Sequence, residues 1–168
     1  MLPVLLASLA AAVPTADCSQ HVEGPPISAE TRAAALRQSV RVHGATFFGL
    51  RRARTADFEG KRANPVIKSG LSVRAGAPMR IKVAARDRDW LALDYDRTDK
   101  SGEGAPMVRV VPCAPDTPRF SDDGVVGDET GWAGGFVVRR NGCATLLLRR
   151  EGEERWRTAR VAFGARCR

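Results

Sequence analysis

The sequence predicts a mainly β protein: an antiparallel β-sandwich, Ig-like or barrel-like, with one short N-terminal helix and disulfide staples. About eight short segments rich in β-branched and aromatic residues recur at intervals of roughly 8–12 residues. Gly, Pro and Asp separate these segments, and four cysteines lie far apart in the chain. Successive strands without an alternating helical pattern are typical of a sandwich or barrel rather than an α/β fold. The 168 residues fit one domain.

The strand predictions rest on alternation of apolar and polar residues. Ile81 and Val83 show it clearly, as a strand with one buried face requires. The last two predicted strands flank a polar turn at residues 151–154, so we expect them to pair as a hairpin. In chain order the predicted strands are 42–50, 65–74, 79–85, 89–95, 107–111, 135–138, 142–150 and 155–164.

One helix is predicted before the first strand, over residues 29–38. Ser28 is a suitable N-cap, Glu30 falls in the first turn, and an Ala-rich run follows. The residues expected to form its apolar face are Ala33, Leu36 and Val40.

The N-terminus resembles a secretory signal peptide. Residues 2–13 are uncharged and apolar or small, but too few to cross a bilayer, which needs roughly 20. Cleavage is expected after Ala12 or Ala16, although no Lys or Arg follows Met1. A buried N-terminal helix is the alternative. The predicted organisation is a signal peptide over 1–16, a tail with the short helix over 17–41, and a β-sandwich domain over 42–168.

The cysteines indicate disulfides. An even number in an exported chain is typical of two disulfide bonds, with three pairings possible. Cys143 and Cys167 lie near the two ends of the predicted hairpin, which favours that bond and leaves Cys18 to pair with Cys113. A lipid anchor on Cys18 is an alternative, but Asp17 fits a lipoprotein signal poorly. No two cysteines are close enough for a zinc site, and no metal or other cofactor is expected.

The charge balance favours anionic partners. Lys and Arg number 27 against 19 Asp and Glu, a net charge of +8. Arg139, Arg140, Arg149 and Arg150 flank predicted strands and are our candidates for a binding surface. A genome rich in GC would also give many arginines. The basic runs are dispersed and lack interleaved aromatics, which argues against a specific nucleic-acid site.

Trp132 is a further candidate binding residue. The neighbouring Gly131, Gly134 and Gly135 allow close backbone approach, either to a ligand stacked on the indole or to another strand. Packing in the core is the favoured interpretation.

Evidence for catalysis or metal binding is weak. Asp94, Asp96 and Asp99 could offer oxygens to Ca²⁺, or serve a small extracellular hydrolase, but the spacing is not that of an EF-hand. The paired carboxylates Asp122 and Asp123 read as a turn. The sequence contains no nucleophile elbow and no phosphate-binding glycine motif. We therefore expect no enzymatic activity.

The chain from Lys68 onward resembles a set of small exported actinobacterial proteins. The shared features are the run GLSVRAGAPMRIKV, then Cys-Ala-Pro, GWAGGF, Asn-Gly-Cys and a strand near a final Cys. The resemblance implies export and a β domain, and it supplies no catalytic residues. The leading interpretation is a secreted or cell-envelope β domain that binds a partner protein, an anionic envelope polymer or a membrane surface.

Overall fold

The computed structural model describes residues 12–24, 28–52, 66–96 and 101–167. Within these ranges the chain is mainly β, as the sequence predicts. Most of the predicted leader and Asp99 lie outside the described residues.

The described part of the chain contains twelve strands and one α-helix, with short 3-10 helices at Cys18–Gln20, Leu50–Arg52 and Ala85–Asp87. The helix α1 (Ala29–Arg37) lies between the first two strands. The strands are β1 (Thr15–Ala16), β2 (Val40–Val42), β3 (Ala45–Phe47), β4 (Val66–Lys68), β5 (Leu71–Arg74), β6 (Met79–Val83), β7 (Leu91–Asp94), β8 (Met107–Val110), β9 (Glu129–Trp132), β10 (Gly135–Val138), β11 (Gly142–Arg150) and β12 (Arg157–Phe163).

The strands form three sheets. A five-stranded sheet has the order β1-β8-β6-β11-β12, a four-stranded sheet the order β2-β3-β5-β9, and a three-stranded sheet the order β4-β10-β7. All strand pairs are antiparallel except β1 with β8, which is parallel. The predicted hairpin is present as β11 and β12, paired from Gly142 opposite Phe163 to Leu148 opposite Arg157.

The two smaller sheets meet at a corner, where the segment that joins β4 to β5 lies beside the segment that joins β9 to β10. Between β4 and β5 the Ser69 N–H donates to the carbonyl of Gly134, which lies between β9 and β10 (2.9 Å). The buried Tyr95 hydroxyl donates to the carbonyl of Ser69 (2.8 Å). A Cβ on Gly135 would collide with the Ile67 carbonyl, so only glycine permits this strand spacing.

Buried side chains from all three sheets form one hydrophobic core. Phe136 lies among other aromatic rings, 5.8 Å from Tyr95 in an edge-on contact and 5.2 Å from Phe163. Such contacts add to the free energy gained by burying the rings. A core that all three sheets share holds the sheets together.

Two disulfide bonds are present, Cys18–Cys113 and Cys143–Cys167. They are the pairs that the sequence favours. Both indicate an oxidising environment for the folded chain. Because the Cys18 sulfur is joined to Cys113, it is not available for a lipid thioether in this structure.

The helix differs from the prediction in its packing. It begins after Ser28, whose hydroxyl accepts from the Thr31 N–H (3.1 Å), and it ends at Arg37. None of its residues is buried, Ala33 is exposed, and Val40 belongs to β2. The expected apolar helix face is therefore wrong, because the chain leaves the helix before that face is complete. No helix in the described part of the chain is long and apolar enough to span a membrane.

Three strand predictions change in detail. The first predicted strand is a hairpin, with His43 and Gly44 in the left-handed region (φ 51° and 79°) joining β2 to β3. Strand β9 was not predicted, since the glycines around Trp132 indicated only close backbone approach. Strand β1 falls in the segment assigned to the leader, where it hydrogen-bonds the edge of β8.

Candidate anion-binding face

Three arginines lie side by side on the outer face of the five-stranded sheet. Arg109 of β8 is opposite Arg80 of β6, and Arg80 is opposite Arg149 of β11. The residues next to them in each strand, such as Val108 and Ile81, are buried in the core. Because side chains alternate along a strand, the three arginines point away from the core.

A tryptophan lies beside this row. Trp156 is half-buried just before β12, and its ring lies under the Lys82 ammonium (3.9 Å) and the Arg149 guanidinium (4.7 Å). Cations at this distance are attracted to the electron-rich face of an indole. The ring thus holds two cations in place without neutralising them. We call Arg80, Lys82, Arg109, Arg149 and Trp156 the basic face.

One carboxylate, Glu151, contacts the basic face. Arg109 donates to it in a fork, from Nε to Oε1 (2.8 Å) and from Nη2 to Oε2 (3.0 Å), while the Arg80 Nε is 3.7 Å from Oε1. The hydrogen bonds raise the pKa of Arg109 and hold the pKa of Glu151 below its ordinary value. Among the residues that the structure describes, the four cations of the basic face are thus accompanied by one carboxylate, which lies near Arg109 and Arg80.

The four arginines chosen from the sequence do not form one surface. Arg139 and Arg140 follow β10, where Arg140 lies over the Trp90 ring (4.8 Å). Strand β11 separates them from Arg149 by about 25 Å. Arg150 points to the other side of the sheet and donates to two backbone carbonyls, those of Ala77 and Arg74 (2.9 Å each). Only Arg149 belongs to the basic face.

Trp132 lies in the core, and a role for it in ligand binding stays a prediction. Its side chain is buried, and its indole N–H donates to the Asp17 carbonyl (2.9 Å). Gly134 and Gly135 allow close packing of strands, as the favoured interpretation of the sequence expects, whereas Gly131 has room for a side chain.

The predicted carboxylate site is only partly described. Asp94 and Asp96 border a small cavity of about 110 Å³, and Asp99 lies outside the described residues. Within the described ranges, no group of three metal-ligating side chains includes Asp94 or Asp96. One such group exists there, formed by Cys18, His21 and Cys113, but its two sulfurs are joined in a disulfide.

A second cluster of charge ties the N-terminal segment to a loop that follows β8. The Glu23 carboxylate accepts from the backbone N–H groups of Phe120 (2.7 Å) and Ser121 (2.8 Å), and its side chain is 8% exposed. The His21 ring contacts Glu23 (2.9 Å) and the Cys18 carbonyl (2.7 Å). We call these residues, with the Cys18–Cys113 disulfide, the N-terminal clasp.

The clasp lowers the pKa of its carboxyl group. Burial alone would raise the pKa of Glu23, but hydrogen bonds from Ser121, Phe120 and His21 outweigh it and bring the pKa to about 2. The carboxylate is therefore ionised at neutral pH and fully occupied by internal donors.

An open cleft of about 1030 Å³ lies between the clasp, α1 and the outer face of β5 and β9. Arg32, Arg74 and Arg119 line it, and so do Asp128 and Glu129. Since both signs of charge are present, its electrostatics do not select one class of ligand.

The sequence did not indicate the basic face as a whole, because its five residues come from four separate segments of the chain. A signal was available, since strand alternation in MRIKV and MVRV places Arg80, Lys82 and Arg109 opposite the buried residues. The strand order that joins them to Arg149 could not be derived from it.

Comparisons with protein-family models, curated proteins and solved structures found no match to this chain. The resemblance to small exported actinobacterial proteins therefore stays a prediction.

Proposed function

We propose that the protein is a non-enzymatic, exported β domain that binds an anionic polymer of the cell envelope through the basic face. The row of Arg109, Arg80 and Arg149 across three neighbouring strands is the observation that supports this most strongly. Like charges directly opposite each other in a sheet are unfavourable. An anion bound across the row would relieve that repulsion.

The side chains of the basic face are suited to binding an anion rather than to catalysis. Arginine forks present paired N–H donors that match the oxygens of phosphate and carboxylate groups. Lys82 and Arg149 are held against Trp156, so less side-chain freedom is lost when an anion binds. A polymer with repeated charges would engage several cations at once, which a single small anion cannot do.

The proposed location follows from the disulfides and the leader. Two disulfides indicate an oxidising compartment, and residues 2–13 resemble a secretory signal. We infer that the leader is removed and that the Cys18–Cys113 disulfide, rather than a lipid, occupies Cys18. We also infer that the three sheets pack as a sandwich.

Two double variants with equal loss of charge test the function. Arg80→Ser/Arg149→Ser removes two cations from the basic face, and Arg139→Ser/Arg140→Ser removes two cations from the other end of β11. We expect the first pair to weaken binding to long-chain inorganic polyphosphate at least about tenfold at low salt, because each lost charge contact contributes roughly 1 kcal/mol. The second pair should weaken it less than about threefold, through net charge alone.

The binding constants are measured by fluorescence anisotropy with labelled polyphosphate, after circular dichroism has confirmed that both variants fold. Equal losses in the two variants would show that only net charge matters and would reject the basic face as the site. Unchanged binding in the Arg80→Ser/Arg149→Ser variant would reject it as well.

A further inference from the structure

Glu151 makes the contacts that a bound anion would make. Its two oxygens occupy both donors of the Arg109 fork, at 2.8 and 3.0 Å. Glu151 belongs to the turn between β11 and β12, whereas the row of arginines lies on strands of the five-stranded sheet. The contact therefore brings a carboxylate onto the basic face from its border.

The carboxylate can leave without disrupting the turn that carries it. The Glu151 backbone N–H donates to the Pro78 carbonyl (2.8 Å), and the Glu153 N–H donates to the Arg150 carbonyl (3.2 Å). Gly152 has φ 90°, the left-handed conformation that glycine adopts readily. These backbone features fix the turn. The ion pair itself is about one-third exposed on both sides, so solvent and ligands can reach it.

The carboxylate also leaves one cation incompletely satisfied. With both oxygens directed at Arg109, the nearest approach to the Arg80 Nε is 3.7 Å, beyond hydrogen-bond distance. A phosphate group has additional oxygens in a tetrahedral arrangement, so it could keep the fork with Arg109 and also accept from Arg80. The geometry therefore suits a phosphate better than the planar carboxylate that occupies it.

We propose that Glu151 is an internal substitute for the phosphate of a phosphate-containing polymer, and that this polymer displaces it from Arg109 and Arg80. The proposal rests on the proposed function and adds the ligand class and a residue that limits affinity. Neighbouring strands are about 4.8 Å apart, so a polymer crossing from Arg109 to Arg149 spans about 10 Å. Lys82, two residues from Arg80 on the middle strand β6, lies beside this path. Binding exchanges one ion pair for several, and the carboxylate is released to water.

The test compares Glu151→Gln with Glu154→Gln, which makes the same change of charge at an exposed position in the same turn. We expect Glu151→Gln to tighten binding of long-chain polyphosphate at least about fivefold at constant low ionic strength, because the competing carboxylate is gone. Glu154→Gln should tighten it less than about twofold. Equal gains would show a general effect of charge, and no gain in Glu151→Gln would show that the carboxylate does not compete. Either result overturns the proposal.

A second probe tests the ligand class. Polyglutamate should gain less than polyphosphate from Glu151→Gln, because its planar carboxylates meet Arg80 no better than Glu151 does. An equal gain for both polymers would overturn the phosphate assignment. If Arg80→Ser/Arg149→Ser weakens binding but Glu151→Gln does not tighten it, the proposal for Glu151 is rejected and the basic face remains the proposed binding site. If Arg80→Ser/Arg149→Ser leaves binding unchanged, the basic face is rejected as the binding site.

Discussion

The basic face and the N-terminal clasp use charge in opposite ways. In the clasp, the Glu23 carboxylate is almost fully buried and takes hydrogen bonds from two backbone N–H groups and a histidine ring. On the basic face four cations are partly exposed; among the described residues, two of them lie near the Glu151 carboxylate and the other two lie over the Trp156 ring. A charge in the clasp finds all its partners inside the protein, whereas charges on the basic face do not.

This difference separates residues that hold the fold from residues that are free to bind. Buried ionised groups are stable only when they are fully hydrogen-bonded, so removing a partner disturbs the fold. Exposed cations cost little to replace, and their unsatisfied charge is available to a ligand. Variants of the clasp should therefore change stability, and variants of the basic face should change binding.

The largest effect is expected from the disulfide of the clasp. The Cys18–Cys113 bond joins residues 95 apart in sequence, and Cys143–Cys167 joins residues 24 apart. On the chain-entropy model, replacing both cysteines by serine should lower the free energy of unfolding by about 4.5 kcal/mol for the first bond and about 3.5 kcal/mol for the second. Urea unfolding measures both. A smaller loss for Cys18→Ser/Cys113→Ser would mean that the clasp holds the N-terminal segment without its covalent link.

An intermediate effect is expected from strand β1. The Arg109 N–H donates to the Pro14 carbonyl and the Val111 N–H donates to the Ala16 carbonyl (2.9 Å each), and Ala16 is fully buried. A chain that begins at Asp17 loses these contacts and should be about 2 kcal/mol less stable than one that begins at Val13.

The position of β1 also bears on where the leader is cleaved. Cleavage after Ala12 keeps β1, whereas cleavage after Ala16 removes it. We therefore expect mass spectrometry of the exported protein to give Val13 as its first residue. A mature chain that begins at Asp17 and is equally stable would contradict the contribution of β1.

An effect that depends on pH is expected from Glu23. Its pKa falls from 4.5 to about 2 on folding, so the ionised group stabilises the fold above pH 4.5 and this contribution is lost as the pH falls toward 2. Glu23→Gln should lower the Tm at pH 7, and the difference from the unsubstituted protein should shrink between pH 4.5 and 2. Thermal unfolding across this pH range measures it, with Glu154→Gln as control. A difference that stays constant with pH would show that the carboxylate charge is not what matters.

Patterns over a few neighbouring residues predicted the individual strands and the hairpin between consecutive strands. Alternation identified the strands around Ile81 and Val83, and the polar turn after Arg150 identified the hairpin whose ends carry Cys143 and Cys167. Strand β9 was not predicted because it is short and pairs with β5, which is distant in the sequence. The helix face was wrong because Val40 continues into a strand through tertiary contacts.

The candidate site was harder to predict than the fold. Arg149 is a sequence candidate because it flanks a predicted strand together with Arg150, but Arg150 points the opposite way because side chains alternate along a strand. Arg80 and Arg109 are isolated in the sequence and meet only through the strand order β8-β6-β11. Arg149 and its sequence neighbour Arg150 therefore do not share a face, whereas Arg80, Arg109 and Arg149, 29 to 69 positions apart, lie in one row.

The corner between the two smaller sheets has a consequence for tracing the ancestry of this chain. A side chain at Gly134 or Gly135 would strike the backbone of Asp94 or Ile67, so neither position can drift without moving a strand. Substitutions at exposed positions without such close contacts usually cost little stability. A distant homologue should therefore retain glycine at both positions, with the four cysteines, even where the arginines of the basic face have been replaced.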